Sequence, residues 1–217
     1  MTETELRDMI CEVGRRMYEK DMVAATDGNI SARLGPNRFL CTPSGVSKGF
    51  MHPSDLIIAN GQGEKITGNG RVTTEFFTHL AAYEERPDIE AVVHGHPPMA
   101  TALMIAGHGM AEPVIPELVM ALGTIPTAAY ATPGSREGSG VIRDLIRRHD
   151  AVLIDRHGAV TVGASPLDAY FKLEKVEHSA LIYWAAHALG NVRILDDTQV
   201  ARLRQSGSNY HEQSDLA

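Results

Sequence analysis

The sequence predicts an α/β protein, a three-layer α/β/α sandwich in which helices cover both faces of a central, largely antiparallel sheet. Short apolar segments with strand character are interleaved with longer segments of helical periodicity, as in layered α/β folds. Several neighbouring strand segments are joined by tight turns, which favour antiparallel pairing. The length suits one core, so we expect a single domain over residues 1–217, with a polar tail from about residue 206.

Helices are indicated by the spacing of apolar residues and by residues that open and close a helix. In the first helix Ile10, Val13 and Met17 recur at three- and four-residue steps and form one apolar stripe. Ser165 and Pro166 supply a cap and a first-turn proline for a long helix near the end of the chain. The predicted helices cover, in order, about residues 4–20, 74–85, 98–107, 135–149, 166–189 and 197–205.

Strand segments are short and are bounded by turn residues. The turn Gly35-Pro36-Asn37 joins the first two strands as a hairpin, and the last two strands form a second hairpin. Residues 61–70 are polar and rich in glycine, which predicts a connection without regular structure. The predicted strands cover residues 30–34, 38–42, 56–59, 91–96, 151–157 and 159–163.

Composition excludes several classes of function. The net charge of −7 argues against nucleic acid as a main partner, although a local pocket can still attract a small anion. No apolar run approaches the roughly 18 residues that span a bilayer, and the acidic start of the chain lacks the parts of a signal peptide. Two cysteines, Cys11 and Cys41, are too few for a disulfide framework. We therefore expect a cytoplasmic protein that binds neither nucleic acid nor membrane.

Three histidines at strand ends predict a metal site. His94 and His96 are two residues apart, so on an extended chain both side chains point to the same side. His157 ends a second apolar strand. Three protein ligands would leave a coordination position open for a substrate. The His94–His96 pair alone favours an ordinary structural role, and the second strand-end histidine shifts the balance towards metal binding.

Three polar segments predict a site for an anion. They are rich in glycine, hydroxyl and amide groups, whose backbone N–H groups can cradle a phosphate: Thr26-Asp27-Gly28-Asn29, Thr42-Pro43-Ser44-Gly45 and Thr73-Thr74. Glu75 comes next, at the start of a helix. It is either a favourable partner of the helix dipole or a metal ligand and proton carrier.

The order of these pieces resembles the class II aldolase family, the group around fuculose-1-phosphate aldolase and ribulose-5-phosphate 4-epimerase. The resemblance covers about residues 5–190. The matching segments are Gly28-Asn29-Ile30-Ser31, Thr42-Pro43-Ser44-Gly45, Thr73-Thr74-Glu75, Arg86-Pro87-Asp88, His94-Gly95-His96, Tyr130-Ala131-Thr132-Pro133-Gly134-Ser135 and His157-Gly158.

The resemblance implies a divalent metal, most often zinc, with manganese and cobalt as alternatives, on His94, His96 and His157. It implies Glu75 as a further ligand in the empty enzyme and as the catalytic acid/base. It implies a fourfold-symmetric homotetramer with active sites at subunit interfaces, where Tyr130 enters a neighbour's site. The residues implied to bind the phosphate of a sugar substrate are Gly28, Asn29, Ser44, Gly45, Thr73 and Thr74.

The implied reaction is aldol cleavage of a ketose 1-phosphate to dihydroxyacetone phosphate and an aldehyde. Metal chemistry of this kind needs no Schiff-base lysine, and nothing in the sequence marks Lys48 as a buried amine. The longer strings 24–31 and 42–50 resemble bacterial aldolases of methionine salvage and related carbohydrate metabolism, which act on 5-deoxyribulose or 5-methylthioribulose 1-phosphate.

Other interpretations stay open. They are a ribulose-5-phosphate 4-epimerase, a methylthioribulose-1-phosphate dehydratase and a non-catalytic interaction domain of the same fold. The usual aspartate of the epimerases is replaced here by Glu75. Tyr210 either closes over the site or belongs to a disordered tail. His79 lies four residues after Glu75, and we interpret it as structural.

Overall fold

A computed structural model describes residues 1–135 and 138–214, with side chains described up to residue 206. Its centre is one eight-stranded sheet with the strand order β4-β3-β2-β1-β5-β8-β7-β6. The strands are β1 (Asn29–Gly35), β2 (Arg38–Cys41), β3 (Ile57–Ala59), β4 (Lys65–Thr67), β5 (Ala91–Gly95), β6 (Thr127–Ala128), β7 (Ala151–Ile154) and β8 (Gly158–Gly163).

Pairing in the sheet is antiparallel except at one edge, where β6 pairs with β7 in parallel. This confirms the prediction of a largely antiparallel sheet. Register places Asn29 of β1 opposite His94 of β5, and His94 opposite Val160 of β8. The end of β5 therefore lies beside the start of β1, which brings the predicted metal ligands next to a predicted phosphate-binding segment.

Helices cover both faces of the sheet, as the sequence predicts. Val92 and Val93 of β5 point to opposite faces because side chains alternate along a strand, and each belongs to a separate apolar core. One core contains α1, α3 and α6, and the other contains α2 and α5. The helices are α1 (Glu3–Glu19), α2 (Phe76–Glu85), α3 (Pro98–Ile105), α4 (Pro116–Leu122), α5 (Arg143–Ile146), α6 (Pro166–Leu189) and α7 (Asp197–Ser214).

Several element predictions were wrong. The helix predicted over 135–149 is a 3-10 segment (Gly138–Ile142) followed by the single turn of α5, and residues 136 and 137 lie outside the described part. Gly138 and Gly140 explain the difference, since glycine costs about 1 kcal/mol in a helix interior. β4, α4 and β6 were not predicted, and α7 continues through the segment that was predicted to be a polar tail from about residue 206.

In the part of the chain that the structure describes, none of the helices is both long and apolar enough to cross a bilayer. The longest one, α6, carries buried residues such as Leu173 and Val176 on one side and several charged residues on the other. Its apolar residues therefore serve the core that it shares with α1 and α3.

Candidate active site

The three strand-end histidines meet at one point. Each offers a ring nitrogen, and these ligand atoms lie within 4.8 Å of one another. His94 is on β5, His96 follows directly after it, and His157 is in the turn between β7 and β8. Because β5 is the neighbour of β8, the sheet itself brings the two strand ends together. The prediction that these histidines form a cluster is confirmed.

The donor chemistry of the cluster fits a cation. The Nδ1–H of His94 donates to the carbonyl oxygen of Ala159 at 2.9 Å, so its Nε2 presents a lone pair. That atom lies 3.2 Å from Nε2 of His96, close to the roughly 3.3 Å between nitrogens of a tetrahedral zinc site. Burial lowers the pKa of His96 to about 4, with added effects of His94 and His157, and burial also lowers the pKa of His94. Neutral, converging imidazoles are the form that binds a divalent metal.

Glu75 completes this cluster. Its Oε1 lies 3.0 Å from Nε2 of His157 and 3.7 Å from Nε2 of His94. Its Oε2 accepts a hydrogen bond of 2.6 Å from the amide of Asn29. Burial by itself would raise the pKa of Glu75, but the contacts with His157, His94 and Asn29 lower it more, so the net pKa lies below the usual range. The carboxylate is therefore ionised, and it faces the nitrogen atoms of the histidines.

The predicted anion-binding segments share a cavity with this cluster. The cavity has a volume of about 390 Å³ and is lined by Thr26, Asp27, Gly28, Asn29, Pro43, Ser44, Gly45, Lys48, Thr73, Glu75, His96, Pro133 and His157. Gly28 and Gly45 have φ angles of 70° and 76°, which most side chains disfavour. At Gly28 a side chain would also collide with Val23 and approach the carbonyl oxygen of His94. Glycine thus allows the first loop to lie against the strand that carries His94.

Lys48 is a buried amine at the site, which the sequence analysis did not predict. Only 2% of it is exposed, and its ammonium donates to the carbonyl oxygens of Thr26 at 2.8 Å and Val46 at 2.6 Å. Burial lowers the pKa of Lys48 to about 8, while the charges of Asp27 and Glu75 oppose this shift. α1 lies close to this residue at Gly14, where a side chain would collide with the backbone of Lys48. The ammonium joins the two loops and places a positive charge at the cavity.

Residues 8–184 match the family of class II aldolases and adducin N-terminal domains. This match covers most of the chain and includes every strand of the sheet and all three histidines. The chain belongs to this family. The histidine cluster is consistent with a divalent metal site of the type found in class II aldolases.

Similar proteins within the class II aldolase family include both decarboxylases and aldolases. The chain is 30% identical over 211 residues to the 3-oxo-tetronate 4-phosphate decarboxylase of Haemophilus influenzae, covering 95% of this chain and 100% of the relative. It is 29% identical to the 5-deoxy-D-ribulose 1-phosphate aldolase of Bacillus thuringiensis, covering 95% and 97% of the two chains. A solved L-fuculose 1-phosphate aldolase superposes with a TM-score of 0.86 at 25% identity, over 94% of this chain and 96% of that one.

Other site residues predicted from the class II aldolase resemblance lie at or beyond the edge of this cavity. Thr74 packs against Gly134, next to the cavity-lining Pro133. Tyr130 is 59% exposed and is not among the residues that line the cavity. The side chain of Tyr210 lies outside the described part of the chain. Asp27, which the sequence analysis named only as part of an anion-binding segment, lines the cavity with its Oδ2 3.7 Å from Nδ1 of His96.

Proposed function

We propose that this protein is a metal-dependent aldolase that cleaves a ketose 1-phosphate to dihydroxyacetone phosphate and an aldehyde. The substrate is of the 5-deoxyribulose 1-phosphate, 5-methylthioribulose 1-phosphate or fuculose 1-phosphate type. One observation carries the proposal: the Glu75–histidine cluster opens into the same cavity as two glycine loops and the ammonium of Lys48. In such a substrate the phosphate is one carbon away from the carbonyl group, so both groups fit one small cavity.

His94, His96 and His157 would hold the metal, with zinc as the proposed ion and manganese or cobalt as alternatives. When bound, the ion supplies Lewis-acid polarisation of the substrate carbonyl. Gly28, Ser44, Gly45 and Thr73, with the neighbouring Thr74 and the remaining amide hydrogen of Asn29, would bind the phosphate. Their backbone N–H groups and hydroxyls fix the end of the substrate that does not react.

Glu75 moves the proton at the carbon that becomes nucleophilic. Its lowered pKa keeps it ionised, so it can remove a proton from dihydroxyacetone phosphate in the condensation direction. In cleavage Glu75 must first gain a proton, in balance with the one that the hydroxyl group of the departing aldehyde releases, and it then delivers this proton to the same carbon after the carbon–carbon bond breaks. Tyr130, contributed by a neighbouring subunit of a proposed homotetramer, would serve the oxygen of the departing aldehyde. Its exposure leaves it accessible to such a neighbour.

A decarboxylase of 3-oxo-tetronate 4-phosphate is a second candidate, favoured by the match to the Haemophilus influenzae relative. The two reactions share the carbanion intermediate and its protonation. When C1 of that substrate leaves as carbon dioxide, C2 becomes a carbanion next to the C3 carbonyl, and the phosphate is on C4. This is the same carbanion as in the aldolase reaction, and its protonation again gives dihydroxyacetone phosphate. They differ in the leaving group, since an aldehyde leaves only if a base takes its hydroxyl proton and carbon dioxide needs no such base.

The deciding experiment is a coupled assay for dihydroxyacetone phosphate with metal-loaded protein. The substrates are fuculose 1-phosphate, 5-deoxyribulose 1-phosphate, 5-methylthioribulose 1-phosphate, ribulose 5-phosphate and 3-oxo-tetronate 4-phosphate, each with and without chelator. We expect chelator-sensitive release from at least one ketose 1-phosphate, with an equal amount of aldehyde. Release only from the tetronate, with carbon dioxide, would make the protein a decarboxylase. Epimerisation of ribulose 5-phosphate without release would overturn both candidates.

A substitution of Glu75 tests the proton transfer. Glu75→Gln keeps the size of the side chain but removes its basic oxygen, so we expect a folded protein whose turnover falls by at least about 100-fold. The control is Glu64→Gln, on an exposed turn away from the cavity. Turnover of Glu75→Gln near that of the unsubstituted protein would rule out this role.

A further inference from the structure

A buried chain of hydrogen bonds lies behind Glu75. Its carboxylate accepts from the Asn29 amide, and Oδ1 of Asn29 is 2.5 Å from Nε2 of His79. Nδ1 of His79 is 2.7 Å from the hydroxyl of Ser31, which is 2.9 Å from the hydroxyl of Tyr83. These residues connect β1 to α2, because Asn29 and Ser31 point to one side of the strand while His79 and Tyr83 lie one turn apart on the helix.

The direction of every bond in this chain follows from its first member. An ionised Glu75 can only accept, so the Asn29 amide nitrogen faces it and the amide oxygen faces His79. That oxygen can only accept, so Nε2 of His79 carries the hydrogen and Nδ1 has a lone pair. Ser31 therefore donates to His79 and accepts from Tyr83. One arrangement of hydrogens satisfies all four bonds.

Burial prevents this arrangement from reversing. Ser31, His79 and Tyr83 are at most 4% exposed, and Asn29 is 2% exposed and meets the cavity only at its edge, so solvent offers no alternative partner for the bonds between them. Burial lowers the pKa of His79 to about 3, which leaves the ring neutral with a single N–H. Burial raises the pKa of Tyr83, so the phenol keeps its hydrogen. If the Asn29 amide turned over, its oxygen would face the carboxylate and its NH₂ would face the N–H of His79.

We propose that His79 is a positioning residue for Glu75: its Nε2–H fixes the Asn29 amide, and that amide holds the carboxylate against the histidine cluster. This inference rests on the proposed role of Glu75 as the proton carrier. It replaces the interpretation of His79 as merely structural. A purely structural histidine would affect stability, whereas this one also sets the position of a carboxylate that it does not touch.

A matched pair of substitutions separates the two roles. The amide nitrogen of glutamine can occupy the place of the histidine Nε2, so His79→Gln retains a donor to Asn29. Asparagine reaches only the place of Nδ1, so His79→Asn keeps the contact with Ser31 and loses the donor to Asn29. We expect His79→Asn to lower kcat by about 10- to 100-fold with little change in KM, and His79→Gln to stay within a few-fold. Bound metal should be equal in both variants.

A spectroscopic measurement tests the same inference without any substrate. In metal-free protein labelled with ¹⁵N-histidine, the His79 resonance should show hydrogen on Nε2 and a lone pair on Nδ1, assigned by its absence in His79→Gln. Hydrogen on Nδ1 instead would overturn the proposal, whatever reaction the protein performs.

The kinetic outcomes also distinguish the two proposals. If Glu75→Gln loses turnover while His79→Asn keeps it, the positioning role fails and the proposed function stands. If Glu75→Gln keeps turnover, the proposed function of Glu75 itself fails. Equal loss in His79→Asn and His79→Gln would likewise overturn the positioning role, because the retained donor would then make no difference.

Discussion

The two halves of the cavity are supported in different ways. The histidine half is built on backbone ladders, since His94 pairs in register with residues of β1 and β8 on its two sides. The phosphate half consists of two loops, which the ammonium of Lys48 joins through the carbonyl oxygens of Thr26 and Val46. Support in the first half is shared among many backbone bonds, whereas in the second it depends on one side chain and two glycines.

This difference predicts where a substitution should change catalysis and where it should change the conformation of the site. A ligand on a strand, or in the tight turn between two paired strands, can be removed while the strands keep their hydrogen bonds, so the frame of the site remains. A loop that is held by a side chain loses its shape when that side chain goes. Four tests probe this contrast, in order of decreasing effect at neutral pH.

Removal of one ligand should have the largest effect on activity and little effect on the frame. His157→Ala takes away one of the three converging nitrogens. We expect bound metal and turnover to fall by more than about 100-fold, since even partners that only orient a ligand are worth 10- to 100-fold. Metal analysis and the dihydroxyacetone phosphate assay measure this. The melting temperature of the metal-free variant should stay near that of metal-free protein, and a large decrease would contradict the contrast.

The two cavity glycines should differ in cost although both have positive φ. Gly28→Ala introduces a methyl group that collides with Val23 and meets the carbonyl oxygen of His94, so we expect about 3 kcal/mol or more of lost stability. At Gly45 no atom lies within 4 Å of an added methyl group, and backbone strain alone predicts about 1 kcal/mol. Urea unfolding of both variants measures the difference, and equal costs would show that close packing at Gly28 is unimportant.

Removal of the Lys48 ammonium should weaken both stability and phosphate binding. Lys48→Met leaves two partly buried carbonyl oxygens without their donor, so we expect a loss of about 1 to 2 kcal/mol and a higher KM for the phosphorylated substrate. Lys65→Met is the control, because its ammonium donates to the carbonyl of Gly70 at the surface. If the Lys48 and Lys65 variants behave alike in urea unfolding and in KM, the two loops do not depend on Lys48.

Acid should destabilise the metal-free protein through His79. Its folded pKa of about 3 lies below its ordinary value of 6.5, so between these values the unfolded chain binds a proton that the folded chain excludes. This contribution to stability is complete above pH 6.5 and is lost as the pH falls towards 3, by at most about 1.4 kcal/mol per pH unit. His79→Asn should flatten the decline measured by urea unfolding, whereas His178→Asn, an exposed control, should not.

The sequence was sufficient for six of the eight described strands and for the histidine cluster because both follow from local rules. Alternation along β5 and the spacing of His94 and His96 put the two rings on one side of the chain. The strand that leads to His157 was predicted for the same reason. Family resemblance supplied Glu75, and the structure places it against His157, which local rules could not have shown.

The missed features depend on contacts between distant segments. Lys48 is an ordinary surface residue by composition, and only the packing of α1 against its backbone buries it. His79 gained a role only when β1 placed Asn29 and Ser31 beside α2. The helix predicted over 135–149 was wrong for a local reason, since the cap at Ser135 and the basic residues at its end were weighed above Gly138 and Gly140. The periodicity of hydrophobic residues predicts helices and strands, but it does not predict which residues the polar side chains contact.

The two edge strands of the sheet, β4 and β6, are poorly suited to pair with a strand of another molecule. β4 has three exposed residues and carries Lys65, and β6 has two residues. Strand addition between molecules needs a long, flat, apolar edge, so these short margins should resist growth into fibrils even when the protein is concentrated. Contacts between copies should instead use the helical layers, where the rings of Phe171 and Trp184 on α6 are half exposed. Folded copies would then associate through side chains, and no strand of one chain would form backbone hydrogen bonds with a strand of another.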